Sequence, residues 1–176
     1  FDFHKITGVT LSGNYNGSTP VTLVIDGVTN STFTNFATNV FTFSPSLGMG
    51  SKILLYYDDD TAASNNAALV TLASGYDMTN MDLTADTLTI RSDYGSSIAN
   101  SDLSAAWFND TDIPYSCSGT NVSVTNNINV LIPSGHTFAP GAYTVNLKSN
   151  LANNGRINST GSTFAFSGAT AVSGTA

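Results

Sequence analysis

Glutamate and glutamine are absent from the 176-residue chain, and all twelve acidic residues are Asp. The loss removes two strong helix formers, so long helices are not expected. Lys and Arg total only five: Lys5, Lys52, Arg91, Lys148 and Arg156. With a formal charge of −7 and a pI near 4.2, the chain lacks the clustered cations that nucleic acid or anionic lipid requires, and both are set aside as partners. Cys117 is the single cysteine, which excludes an intrachain disulfide and a Cys-based metal site. It reads as a small buried hydrophobe, with an intermolecular link as the alternative. No apolar run approaches the ~20 residues of a transmembrane helix, so no membrane span is predicted. The start at Phe1 rather than Met is expected from removal of a signal segment or from trimming.

Ser, Thr and Asn replace charge as the source of surface polarity. Charged residues make up 10% of the chain, against about 25% in an ordinary soluble domain. Acceptor sequons for N-glycosylation begin at Asn16, Asn30, Asn109, Asn121 and Asn158. Together these features predict an extracellular or cell-surface location, with glycans as possible partners.

Alternation of apolar and polar residues dominates the middle of the chain. Val21, Leu23 and Ile25 alternate with their neighbours, Asp26-Gly27 follows, and residues 28–33 return, which reads as a hairpin with a type I′ turn. Further strands are expected at 3–11, 39–44, 52–57, 67–73, 86–92, 120–132, 142–149 and 162–167. Turn clusters separate them, among them residues 44–48, 93–96 and 153–155. Short helices are allowed only at 58–68 and 96–108. No internal repeat beyond the strand–turn rhythm is evident. Val21, Leu23, Ile25, Ile53, Leu55, Leu88, Ile90, Val130, Tyr143, Val145 and Leu147 are the predicted core.

The segment FAPGAYTVNLK, residues 138–148, resembles the Pro-Gly-X-Tyr-Thr-Val stretch of Ig-like surface modules and of donor-strand-type extracellular pilin or filament subunits. In those families the Pro-Gly turn delivers a Tyr onto one of the last strands. The resemblance and the strand rhythm together imply an all-β domain, an Ig-like or jelly-roll antiparallel β-sandwich of about 8–10 strands with little helix. The chain then divides into an N-terminal extended segment, 1–11, and a single domain over 12–176.

Chemistry for catalysis is thin. His4 and His136 lie in terminal or turn contexts, and no nucleophile elbow, zinc-binding helix or phosphate loop occurs, so no catalytic residue is assigned and the chain is not expected to be an enzyme. Asp58, Asp59 and Asp60 either spread into solvent or share a hard cation such as calcium, the one cofactor weighed. Looser acidic sets occur at Asp77, Asn80, Asp82 and Asp86, and at Asp110 and Asp112. Two functions from different classes follow. The first is a structural subunit of an extracellular filament or pilus, polymerising with copies of itself by β-strand complementation. Its donor strand is the N-terminal segment, through Phe1, Phe3, Ile6, Val9 and Leu11. The second is a carbohydrate-binding or adhesin module, in which Trp107 with Tyr94 or Tyr115 on one face would stack sugar rings.

Overall fold

The computed structural model describes residues 8–16, 19–34, 37–58, 66–167 and 170–174. Strand occupies 44% of the residues and helix 5%, so the expectation of an almost wholly β chain holds. The architecture, however, is a β-solenoid of about five turns and not a sandwich.

Four strands open the chain: β1 (Leu11–Asn14), β2 (Val21–Ile25), β3 (Val28–Phe33) and β4 (Val40–Phe43). β2 and β3 form the predicted hairpin. Asp26 and Gly27 both take positive φ, 50° and 76°, as a type I′ turn demands. The Asp26 carboxylate accepts the Lys52 backbone N–H at 2.8 Å, which ties the turn to the next strand. β1 and β4 pair antiparallel as a separate two-stranded layer.

β5 (Lys52–Tyr57), β6 (Ala67–Leu72) and β7 (Thr87–Ile90) follow. β5 joins β2 and β6 antiparallel, but β6 and β7 run parallel, and from there the chain winds as a solenoid. The helix α1 (Asn100–Ala106) sits inside the segment 96–108 where a helix was allowed. The Asp102 carboxylate accepts the Ala99 N–H at 2.9 Å, satisfying one of the orphan donors of its first turn. The second allowed segment, 58–68, lies largely outside the described residues, and its last two residues open β6.

Beyond α1 the chain turns around three faces. β8 (Tyr115–Ser118) and β9 (Asn121–Val124) form a hairpin, and β10 (Asn129–Ile132), β11 (Thr137–Phe138), β12 (Thr144–Leu147), β13 (Leu151–Asn153), β14 (Arg156–Ile157), β15 (Thr163–Phe166) and β16 (Val172–Gly174) complete the coils. One face is an eight-stranded sheet in the order β16-β13-β10-β7-β6-β5-β2-β3, the second is β15-β12-β9-β8, and the third is the β11-β14 pair. Every strand from β9 to β16 meets its counterpart in the next coil in parallel register, for example Val130 with Leu151 and Leu151 with Val172. The coils pack so closely at one corner that a Cβ on Gly155 would meet the carbonyl oxygens of Pro133 and His136. Only glycine fits there.

The parallel register overturns the antiparallel sandwich that alternation and the 138–148 resemblance implied. In that segment Phe138 is buried in β11, Gly141 turns the corner with φ of 77°, and Val145 and Leu147 enter the core from β12. Tyr143 does not enter it and is 42% exposed. The strand starts at Thr144, so Tyr143 still belongs to the corner and escapes the alternation. The rest of the predicted core is buried, except Ile25, which is half-buried at the hairpin end of β2.

The eight-stranded sheet has a core on each face of its first half. Leu23, Ile53, Leu55, Tyr57 and Leu69 pack under the β1–β4 layer, whereas Val24, Leu54, Tyr56, Val70 and Leu88 face the solenoid interior. Strands covered on both sides read as continuous apolar runs, which is why KILLYY and AALVTL carry so little polarity.

Candidate functional site

Past β6 the outer face of the big sheet emerges from beneath the β1–β4 layer. Residues on it alternate with the buried Leu88, Ile90, Val130 and Leu151, so Thr87, Thr89, Asn129, Leu131, Ala152 and Ser173 point outward. Leu69, Thr89, Leu131, Ala152 and Ser173 stand beside one another across five strands. Above this floor lie two hollows of about 370 and 380 Å³. They share Thr84 and Leu131 and together form one groove crossing the coils.

The groove's wall is the 77–84 segment, held by two carboxylates. Asp77 accepts the Thr10 N–H at 2.7 Å, and Asp82 accepts the Asn14 backbone N–H at 2.7 Å and its side-chain amide at 2.9 Å. Met78, Met81 and Leu83 bury beneath and bond the backbone of residues 10–14. Of the acidic set at 77–86, Asp77 and Asp82 therefore work as anchors for backbone N–H groups.

One end of the groove is a polar network. Arg91 donates from Nε and Nη2 to both oxygens of Asp93, at 2.9 and 2.6 Å, and from Nη1 to the carbonyls of Thr79 and Asn80. Asp93 also accepts the Thr71 hydroxyl at 2.6 Å. With side chains only 11% and 13% exposed, the pair is bidentate and largely dehydrated, a geometry in which each charge is satisfied by the other. His136 lines the same hollow. Its Nδ1 accepts the Ser92 N–H at 3.1 Å, leaving Nε2 to carry the proton of the neutral ring. Burial pushes its pKa down, with Asp93 opposing and Arg91 reinforcing.

The residues singled out from sequence are placed elsewhere. Val9 and Leu11 of the proposed donor segment are buried, and Leu11 starts the strand that pairs with β4 of the same chain. Phe1, Phe3 and Ile6 lie outside the described residues, as do Asp59 and Asp60. Asp58 accepts the Thr22 hydroxyl. Among the described residues no group of three His, Cys, Asp or Glu gathers as a metal site would. All five sequon asparagines are exposed. Asn121 accepts the Thr144 N–H at 2.9 Å, and Asn158 accepts the hydroxyl of its own sequon's Thr160 at 2.9 Å. Tyr115 is buried and donates to the Leu103 carbonyl at 3.1 Å, Trp107 packs half-buried on the solenoid core, and only Tyr94 of that trio is exposed. Cys117 is half-buried, and burial raises its thiol pKa to about 11, with a Ser104 hydrogen bond pulling the other way.

Arg91, Asp93 and His136 were not singled out as a set by sequence reasoning. The available signal was the alternation itself, which puts Arg91 on the same face as Thr87 and Thr89. No helix among the described residues is long and apolar enough to cross a membrane. Comparison with family models, with curated proteins and with solved structures returned no match for the chain.

Proposed function

We propose that the chain is a structural subunit of an extracellular filament or pilus at the cell surface, joined to neighbouring copies by β-strand complementation. The observation that carries this reading is a pair of open edges. β3 and β16 flank the same eight-stranded sheet, and each has a strand on one side only among the described residues. Along the interior column exposure rises at the β16 edge: Val130 and Leu151 are 3% and 4% exposed, whereas Val172 is 64% exposed. Phe166 on the neighbouring face is exposed as well. An unpaired edge topped by apolar side chains is a template for another strand. Because the two edges differ, a contact joining them is head-to-tail and repeats without closing, which generates a fibre. Low charge, abundant Thr and Asn and exposed sequon asparagines fit a secreted surface protein. The reading moves strand exchange from residues 1–11 to the sheet edges, since Val9 and Leu11 are already packed at home.

Light scattering and negative-stain imaging of the full chain test it. Growth into fibres with concentration is expected, and Val172→Asp combined with Phe166→Asp should leave a folded monomer. A wild-type chain that stays monomeric at high concentration overturns the reading. Deleting residues 1–8 separates the two routes: surviving fibres assign the contact to the edges, whereas folded protein without fibres returns it to the N-terminal segment.

A second reading, a carbohydrate-binding or adhesin module, is favoured by the groove rather than by the aromatic platform first expected for it.

A further inference from the structure

We infer that the groove over β6, β7, β10, β13 and β16 binds an uncharged oligosaccharide lying across the strands, an assignment that rests on the second reading above and is independent of filament formation. Shape comes first. The two hollows adjoin at Thr84 and Leu131 and between them span five strands, a site that suits a chain better than a compact metabolite.

The lining supplies what hydroxyl-rich ligands need. Asn129 and Asn150 occupy the same corner in successive coils. Asn129 spends its side-chain oxygen on the Ser149 hydroxyl at 3.0 Å, and Asn150 spends its own on the Ala171 N–H at 2.9 Å. With each oxygen so engaged, the NH₂ groups of these two lining residues are the donors they can offer a ligand. Neighbouring strands lie ~4.8 Å apart, close to the advance of one sugar residue in an extended glycan, so the coil spacing and the ligand repeat match. Thr89 and Ser173 add hydroxyls, and Leu131 and Ala152 form a small apolar floor against which the C–H faces of sugar rings can rest.

Charge decides the class of sugar. Among the described residues Arg91 is the only Lys or Arg lining the groove, and Asp93 and two carbonyls occupy its guanidinium. Among the described residues of the lining no Lys or Arg is left unpaired for a uronate or sulfate, and Asp82 together with the net charge of −7 repels both. The same absence disfavours phosphate-bearing chains.

Calorimetric titration of the full chain with cello-, xylo-, manno- and chito-hexaose, beside polygalacturonate and dextran sulfate, tests the assignment. At least one neutral hexaose is expected to bind, more tightly than its trimer. Ala152→Trp, which fills the floor, should weaken it about tenfold or more, and His136→Gln, which alters the polar end, should weaken it less. Circular dichroism, and melting at pH 7.5 where His136 is neutral in both states, must match wild type for either variant to count. Binding of the anionic polymers alone overturns the uncharged class while leaving a glycan-binding module standing. Binding to none of these carbohydrates overturns both, and neutral binding untouched by Ala152→Trp in a folded variant places the site elsewhere.

Discussion

The two halves of the eight-stranded sheet are made of the same kind of strand and are treated differently by what lies outside them. In β2, β5 and β6 both faces are covered, one by the solenoid interior and one by the β1–β4 layer with its acid-anchored 77–83 segment. In β10, β13 and β16 only the interior face is covered, and cover thins coil by coil until β16 is exposed throughout. Burial on two sides doubles the apolar area that each strand removes from water, while burial on one side leaves a polar face available for recognition. The first half is the anchor of the molecule and the second is its working surface.

The sharpest way to break this comparison is to remove a side chain from the doubly covered half. Leu55 is fully buried in β5 in one cluster with Leu23, Tyr57 and Leu69, so truncating it leaves a cavity in a packed core. Leu55→Ala should cost about 2–5 kcal/mol in chemical denaturation. Phe166→Ala, a larger deletion in the last coil, should cost less than that, because its ring is already 43% exposed. Equal losses at the two sites would remove the distinction between anchor and working surface.

A smaller effect tests the boundary between the halves, where His136 of the solenoid meets Ser92 and the Arg91–Asp93 pair beyond β7. Burial depresses the His136 pKa in the folded chain, so as pH falls through the ordinary histidine value of about 6.5 the unfolded chain takes up a proton before the folded one does. Stability from this residue is therefore complete above that value and declines on acidification. Melting temperature should fall between pH 7.5 and pH 5, above the range where free carboxylates protonate, and His136→Gln should flatten that part of the profile. A steeper fall in the variant would reverse the sign argued here.

Much of the first half was legible as local pattern. The Asp26-Gly27 turn and the helix within 96–108 follow from residue types, and Val21, Leu23, Ile53, Leu55, Leu88 and Ile90 are buried as expected, although their neighbours on β2, β5 and β7 are buried too. Strand direction was not legible, because alternation specifies which face a side chain takes and carries no record of whether the partner strand runs parallel or antiparallel. The solenoid also hid its repeat. On the large sheet Val130, Leu151 and Val172 stack at a constant 21 residues, but the spacing is 23 from Val122 to Val145 and 19 from Val145 to Phe164 and from Phe138 to Ile157, so the period differs from face to face. The groove was half legible: its outward residues follow from the parity of the buried ones, but the joining of Arg91, Asp93 and His136 depends on parallel stacking and is absent from any local window.

The smallest predicted effect separates the two architectures at a single side chain. In the antiparallel sandwich, Tyr143 shares a face with Val145 and Leu147 and is a core residue, so truncation would carry the large penalty of a buried aromatic, about 3–5 kcal/mol. In the solenoid it stands at the corner after Gly141, is 42% exposed, and has no place in either core cluster. Its neighbour Val145 is 2% exposed and stacks between Val122 and Phe164 in the coils on either side. Tyr143→Ala should therefore change the unfolding free energy by less than about 1 kcal/mol, within the usual range of surface substitutions. Val145→Ala should cost more than this despite deleting fewer atoms, because it opens a void between two stacked coils. Measuring both by urea denaturation gives a ratio that depends on where the strand begins. A Tyr143→Ala loss above that of Val145→Ala would place the tyrosine back in a core and the strand start before residue 143.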